Sequence, residues 1–257
     1  MMMNYRYYLK SDIGTTHSRN QDTAFAEVTK TPSGRAFIGI VCDGMGGLSD
    51  GDMASSYVVS KLSWWFENVF AATLSEASDD VIFNVLSGVI SDCNRCIVET
   101  ARSKCSLSGT TLSLLIISGG KYYIAQLGDS RIYMCSGDRM TQLTSDHSYV
   151  MSMVEQGLMT ESEAIVSSDR NILTRCIGCE ESVSADFFLG TVGKGDYFLI
   201  TSDGFHSRTS VSDIENIFCR RSVRDIAEIK RNILSTIENR KLRGEKDNIT
   251  ALAVLVV

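Results

Sequence analysis

Polar and apolar residues alternate along Tyr5–Ile13 well enough for a strand, and Thr23–Val28 and Arg35–Val41 read as two more near the N-terminus. Thr31-Pro32-Ser33-Gly34 supplies the turn between the second and third. The period then changes. Ala54, Tyr57, Val58, Leu62, Trp65, Phe66 and Val69 recur at three-and-four spacing, so a helix is expected over Met53–Phe70. Ile82, Val85, Leu86, Val89, Cys93, Ile97 and Ala101 place a second over Asp79–Arg102. Beyond Ser108-Gly109-Thr110 the pattern changes to strands, at Thr111–Ser118, Lys121–Leu127, Arg131–Cys135 and Met140–Leu143. Gly-Gly, Gly-Asp-Ser and Ser-Gly-Asp separate these runs, as in an antiparallel meander. Ser145–Arg170 is polar and rich in Ser and Glu, with two short helical stretches, and has the composition of a mobile surface subdomain. Further strands are expected at Val183–Leu189, Asp196–Thr201 and Ile249–Val257, and helices at Val211–Phe218 and Val223–Asn239. Grouped strands and two separated helix pairs predict an α+β architecture, with helices packed outside antiparallel sheets in one domain spanning 1–257.

Composition narrows the function classes. The 257 residues are 44% hydrophobic and 22% charged, an ordinary globular balance. A formal net charge of −6 argues against a nucleic-acid partner, which calls for a basic face. The longest apolar candidates, Leu112–Ser118 and Ile249–Val257, have strand length, so no membrane partner is expected. The N-terminus lacks the apolar region and small-residue cleavage site of a signal peptide, and a cytoplasmic protein is expected. Cys93/Cys96 and Cys176/Cys179 have C-x-x-C spacing, compatible with a four-thiolate zinc site or with small buried hydrophobes. In the cytosol all eight cysteines are expected to be reduced.

The candidate chemistry lies in four aspartates that end apolar runs. Asp43 follows Ile38-Gly39-Ile40-Val41-Cys42 and precedes Gly44-Met45-Gly46-Gly47. Asp129 follows Ala125-Gln126-Leu127-Gly128, and Asp203 follows Leu199-Ile200-Thr201-Ser202. Asp247 stands just before the terminal strand. Carboxylates at the ends of adjacent strands converge on one sheet edge and repel unless cations neutralise them. An all-oxygen ligand set suits Mg²⁺ or Mn²⁺ better than zinc. The alternative for each Asp-Gly is a simple turn.

In order along the chain, these motifs resemble the metal-dependent protein phosphatases, the type 2C serine/threonine phosphatases, in their compact bacterial form. The matching stretches begin with Ser11-Asp12-Ile13-Gly14, Asn20-Gln21-Asp22, Asp43-Gly44-Met45-Gly46-Gly47 and Ser108-Gly109-Thr110-Thr111. They continue with Gly128-Asp129-Ser130-Arg131, Asp146-His147, Asn171-Ile172-Leu173-Thr174-Arg175, Ser202-Asp203-Gly204 and Asp247-Asn248-Ile249-Thr250. The resemblance implies an αββα sandwich of two central antiparallel sheets flanked by helix pairs. It implies two Mn²⁺ or Mg²⁺ ions, with Asp43 bridging both, Asp203 and Asp247 on the first and the Gly44 carbonyl on the second. Asp129, with Asp203, matches a third, weaker site, while Asp22 and Gln21 match an acidic pair acting through waters. The implied reaction is direct attack of a metal-bridging hydroxide on phosphoserine or phosphothreonine, with no phospho-enzyme. Implied partners are phosphorylated proteins and a cognate serine/threonine kinase, with a monomeric enzyme.

Three positions depart from the family pattern. His17 stands where a phosphate-binding Arg is usual, and it is assigned that contact here. Gln21 replaces a Glu, removing one negative charge beside the second ion. Met45 replaces the His that animal members offer as a proton donor. The Ser145–Arg170 stretch matches the flap beside the active site and is the expected substrate-recognition surface, whereas His147 and His206 are read as structural or surface residues. Two other classes fit parts of the pattern: a non-catalytic binding module with a decayed metal site, and a phosphoester hydrolase acting on small molecules.

Overall fold

A computed structural model describes residues 3–46, 50–219 and 225–257. Gly47 of the glycine-rich motif and Val223, the expected start of the last helix, lie outside the described residues. The strands are β1 (Tyr5–Asp12), β2 (Asp22–Thr31), β3 (Gly34–Gly46), β4 (Ser108–Thr110), β5 (Leu112–Ser118), β6 (Lys121–Leu127), β7 (Arg131–Ser136), β8 (Arg139–Gln142), β9 (Asp186–Thr191), β10 (Tyr197–Thr201) and β11 (Ile249–Val256). The helices are α1 (Asp50–Trp65), α2 (Asp79–Ser103), α3 (Tyr149–Glu155), α4 (Glu161–Val166), α5 (Asp203–His206), α6 (Val211–Phe218) and α7 (Ile226–Leu242). One antiparallel sheet runs β2-β3-β5-β6-β9, with β4 added beside β3; the other runs β1-β11-β10-β7-β8.

Side-chain alternation makes four layers from these elements. Along β3, Ala36, Ile38, Ile40 and Cys42 face α1 and α2, where they pack with Val58, Leu62, Trp65, Leu86 and Ile90. The alternate residues Phe37 and Val41 face the opposite sheet. Along β11, Ile249, Ala251, Ala253 and Leu255 pack with Ile214, Phe218, Ile229 and Ile233 of α6 and α7. Leu252, Val254 and Val256 point the other way, into the layer between the sheets. A period of two therefore serves two cores from one strand. The result is the expected αββα sandwich.

Four expectations need correction. The meander is split: β5–β6 and β7–β8 each pair, but β6 and β7 belong to different sheets. The crossing is made at Gly128-Asp129-Ser130, and buried Gln126 stabilises it by donating to the Ser130 and Gly128 carbonyls at 2.6 and 3.2 Å. Second, β3 does not stop at Val41; it exchanges its partner β5 for β4 and continues through Asp43 to Gly46. Third, the first helix leaves α geometry at Trp65 and continues as a π-helical segment, Phe66–Leu74, where Phe66 stacks on Phe70. Fourth, four of the eight cysteines are not thiols. Cys135 is bonded to Cys219, brought together by the end of β7 and the end of α6, and Cys176 is bonded to Cys179. Cys42, Cys93, Cys96 and Cys105 remain free, and no Cys₄ zinc site forms. In addition, α2 is long and apolar enough to cross a membrane by length and composition. Its Ile82, Leu86, Ile90 and Ile97 are instead buried in the first core.

Candidate metal centre

Backbone hydrogen bonding fixes the first corner. The Asp43 N–H donates to Thr111 Oγ1 at 2.9 Å, and the Asp43 carbonyl accepts from the Thr111 N–H at 2.9 Å and from Thr110 Oγ1 at 3.0 Å. The Gly44 N–H donates to the Gln21 carbonyl at 3.1 Å. A β-carbon on Gly44 would stand 2.2 Å from the Gly51 carbonyl oxygen, so only glycine permits this approach of α1 to β3. Asp22 is the register partner of Asp43 on the neighbouring strand, which places two carboxylates side by side.

The second sheet contributes from the opposite side. Asp203 opens α5 directly after β10, and Asp247 precedes β11 beside it. Ser202 Oγ donates to Asp22 Oδ2 at 2.8 Å and accepts from the Thr250 N–H at 3.0 Å, tying the two sheets together. Asn248 Oδ1 accepts from the Gln21 N–H at 2.7 Å, and its Nδ2 donates to the Ile13 carbonyl at 2.8 Å. These bonds hold the segment that carries His17, whose Nε2 lies 3.4 Å from Asp247 Oδ1.

The electrostatics follow from this crowding. Burial, then the charges of Asp22, Asp203, Asp247 and Asp129, push the Asp43 carboxyl well above the usual carboxylate range. Asp203 is raised in the same way by burial and by Asp129, Asp247 and Asp22. Burial lifts Asp22 to about 6, with the Asp247 charge adding to it and hydrogen bonds from Thr250 and Ser202 opposing it. Asp129 rises to about 7 through burial and the Asp146 charge. Oδ1 of Asp22 and Oδ1 of Asp203 are buried without a hydrogen-bond partner. Unsatisfied oxygens on mutually repelling carboxylates fit hard divalent cations, which take oxygen ligands and cancel the repulsion. Among the described residues no three acidic, thiol or imidazole groups already stand in closed coordination geometry.

The structure thus gathers Asp43, Gly44, Asp22, Gln21, Asp203, Asp247, Asp129 and His17 at one end of the two sheets. It does not bring His147 or His206 to the carboxylates as ligands. His147 Nδ1 accepts from the Gly128 N–H at 3.2 Å and its Nε2 meets Asp186 at 3.1 Å. His206 is buried against Thr201 Oγ1 at 2.8 Å, and burial drives it well below the usual imidazole range. The two short helices expected in the flap are α3 and α4. Between the flap and the loop after α5 lies a cavity of about 150 Å³, lined by Asp129, Arg131, Arg170, Asp203 and Arg208 among others. One Cys-x5-Arg spacing, that of a thiol phosphatase loop, occurs at Cys96 and Arg102. Both sit inside α2, with Arg102 bonded to Glu181 at 2.6 Å, so no phosphate loop forms there. Ser202, Thr111 and Asn248 lie within the motif stretches, but the sequence assigns them no role; the structure shows them bonding to or beside the motif aspartates.

The model of the protein phosphatase 2C family matches residues 13–243. The serine/threonine phosphatase stp of Listeria innocua serovar 6a is 35% identical over 250 residues, 95% of this chain and 93% of that protein. The chain belongs to the protein phosphatase 2C family. Protein phosphatase PhpP of Streptococcus pneumoniae serotype 2 is 32% identical over 210 residues, covering 81% of this chain and 82% of its own length. The Streptococcus agalactiae serine/threonine phosphatase superposes with a TM-score of 0.84 at 32% identity, covering 99% and 100% of the two chains. The catalytic domain of the phosphatase PstP, solved with two manganese ions, superposes at 0.78 with 25% identity and covers 100% of both chains. This chain is accordingly a metal-dependent serine/threonine phosphatase, a hydrolase acting on phosphorylated proteins.

Proposed function

We propose that the carboxylate cluster is the catalytic metal centre of this phosphatase. Asp43 would be shared between two ions, Asp203 and Asp247 would complete the shell of the first, and the Gly44 carbonyl would serve the second. The observation that carries this reading is the pair of buried, unpartnered oxygens on Asp22 and Asp203 where the two sheets meet. Mn²⁺ or Mg²⁺ would fill the core site, and Asp129 with Asp203 would hold a third, weaker ion. When bound, the ions supply a water acidified to near neutrality, the nucleophile toward phosphorus. The chain's own part is positional. Thr110 and Thr111 fix the Asp43 backbone, Asp22 and Gln21 order solvent around the ions, and His17 donates a hydrogen bond to the phosphoryl oxygens. With Met45 in place of a histidine donor, the leaving serine or threonine oxygen takes its proton from solvent. The physiological setting that fits is a cytoplasmic monomer opposing a serine/threonine kinase, in one domain with the flap at about 145–170 as its recognition surface.

The test is phosphate release from a phosphothreonine peptide in Mn²⁺, with and without chelator. Asp203→Ala is expected to lower kcat by at least ~10²-fold, the scale of losing a residue that organises transition-state charge. His17→Ala should lower turnover of a small aryl phosphate while His17→Arg keeps or raises it. Full activity of Asp203→Ala would sink the ligand assignment, and wild-type rates in His17→Ala would remove the phosphate contact. Release from nucleotides but not from phosphopeptides would favour a small-molecule esterase.

A further inference from the structure

The Cys176/Cys179 pair has no part in the reaction above, yet it is built against the metal-binding strand. It closes a four-residue ring, Cys176-Ile177-Gly178-Cys179, with Cα atoms 5.8 Å apart. Inside the ring, the Ile177 carbonyl accepts from the Thr110 N–H at 2.9 Å and the Ile177 N–H donates to the Thr110 carbonyl at 3.0 Å. Thr110 is the residue whose Oγ1 donates to the Asp43 carbonyl, and it is the register partner of Gly44. One residue therefore separates the ring from the Asp43-Gly44 corner. A β-carbon on Gly109 would lie 3.1 Å from Cys179 Sγ and 2.8 Å from the Ile177 carbonyl oxygen, so β4 runs directly against the sulfurs. On its other side the ring is anchored by buried Asn94, whose Oδ1 accepts from the Gly178 N–H at 2.7 Å. Cys176 is buried, whereas Cys179 is exposed beside a cavity of about 660 Å³ that both cysteines line with Met45 and Arg175. One exposed cysteine backed by one buried cysteine is an arrangement suited to exchange with a small thiol or disulfide.

We propose that Cys176 and Cys179 form a reversible dithiol–disulfide couple, a redox modification site whose state sets how firmly the Asp43-Gly44 corner is held. The co-reactant class is a low-molecular-weight disulfide of the glutathione type. The Cys179 thiolate attacks one of its sulfurs, forming a mixed disulfide, and the departing thiolate leaves as a thiol with the proton Cys179 gave up. Cys176 then attacks Cys179 Sγ, its proton accompanying the second departing thiol. Two S–H bonds on the chain and one S–S bond of the reagent become one S–S bond on the chain and two free thiols. Reduction reverses these steps, starting at exposed Cys179. The closed ring keeps Ile177 against Thr110, and opening it loosens that clamp. Only the consequence for metal binding rests on the function proposed above.

The experiment equilibrates the full chain across glutathione ratios, alkylates free thiols and maps them by peptide mass. Cys176 and Cys179 should become protected together, in a single two-electron step. Amide hydrogen exchange at Thr110 and Thr111 should be about fivefold slower in the oxidised protein, the scale of one weakened backbone hydrogen bond. Mn²⁺ affinity measured by calorimetry should be tighter by a similar factor. Cys176→Ser/Cys179→Ser should behave as reduced protein at every ratio, and Cys135→Ser/Cys219→Ser should keep the response. Persistence of both thiols at every ratio, single-site adducts that never close the ring, or identical exchange in the two states would each overturn the proposal. Absence of Mn²⁺ binding in both states, with the exchange difference intact, counts against the metal centre and supports the couple.

Discussion

Replacing Asp22 by Asn separates what the carboxylate cluster does for folding from what it does for metal binding. Asp22 is 6% exposed and its carboxyl is lifted from its ordinary 3.8 to about 6, chiefly by burial. A difference of that size is roughly 3 kcal/mol between the charged and neutral forms. The sign follows from linkage. Below its ordinary value Asp22 is protonated in both folded and unfolded chains, and it takes nothing from stability. As pH rises toward about 6 the unfolded chain releases this proton while the folded chain holds it, so metal-free stability falls. Above that the deficit is constant. An amide keeps an acceptor for Ser202 and removes the charge. In chelator at pH 8, Asp22→Asn should therefore be more stable than wild type by roughly 2–3 kcal/mol, or about 5–10 °C in Tm. At pH 4 the gap should shrink to about 0.5 kcal/mol, because the unfolded carboxyl is then only partly ionised. Urea unfolding followed by tryptophan fluorescence reads both conditions, since Trp65 is buried in the first core. In saturating Mn²⁺ the ranking should narrow or reverse, because the ion stabilises wild type in proportion to its affinity. Equal stability at pH 8, or a gap at pH 4 as large as that at pH 8, would refute burial of this charge as the source of the effect.

Two other perturbations test the frame around the site. Arg131 and Asp146 form a nearly buried ion pair at 2.7 Å beside the Asp129 crossover, with a second guanidinium nitrogen also bonded to Asp146. Asp146→Ala strands the arginine and should destabilise by about 3–5 kcal/mol, whereas Arg131→Met/Asp146→Leu should recover much of that in urea unfolding. A β-carbon on Gly39 would stand 2.8 Å from Leu252 Cδ2 in the layer between the sheets. Gly39→Ala should therefore destabilise by about 1–3 kcal/mol, and adding Leu252→Val should relieve part of it, a coupling that a double-mutant cycle measures directly.

The elements most legible in the sequence are those whose pattern has one dominant cause. The helix expected over Asp79–Arg102 and the strand over Lys121–Leu127 match α2 and β6, because each buries one continuous face or run. The extension of β3 through Asp43-Gly44-Met45-Gly46 was hidden, since glycine reads locally as a loop and the strand exists there only because β4 arrives from distant sequence. The split meander was hidden for a similar reason: Gly128-Asp129-Ser130 has turn chemistry whether the next strand returns to the same sheet or crosses to the other. At the site, Asp43, Asp203 and Asp247 are conspicuous because each carboxylate stands at one end of an apolar run. Ser202, Thr111 and Asn248 act through hydroxyl and amide hydrogen bonds and carry no periodic signal. The cysteine pairings also depended on tertiary placement, since Cys135 and Cys219 are 84 residues apart in sequence.

The carboxylates come from both sheets, and this sets the relation between stability and activity. Asp22 and Asp43 belong to one sheet, while Asp203 and Asp247 hang from the other. Their repulsion therefore acts across the sandwich and opposes the packing of Phe37, Phe198, Leu252 and Val254 between the sheets. Hydrogen bonds from Ser202 to Asp22 and from Gln21 to Asn248 bridge the same gap but cancel no charge. A bound cation does cancel it, so occupying the centre and closing this end of the sandwich are one event energetically. A variant that neutralises one of these carboxylates should then gain metal-free stability and lose metal-linked stability together with turnover. A variant that only loosens the layer between the sheets should lower stability with and without metal alike. The two patterns differ in sign, which is what distinguishes a charge-strained functional site from an ordinary defect in packing.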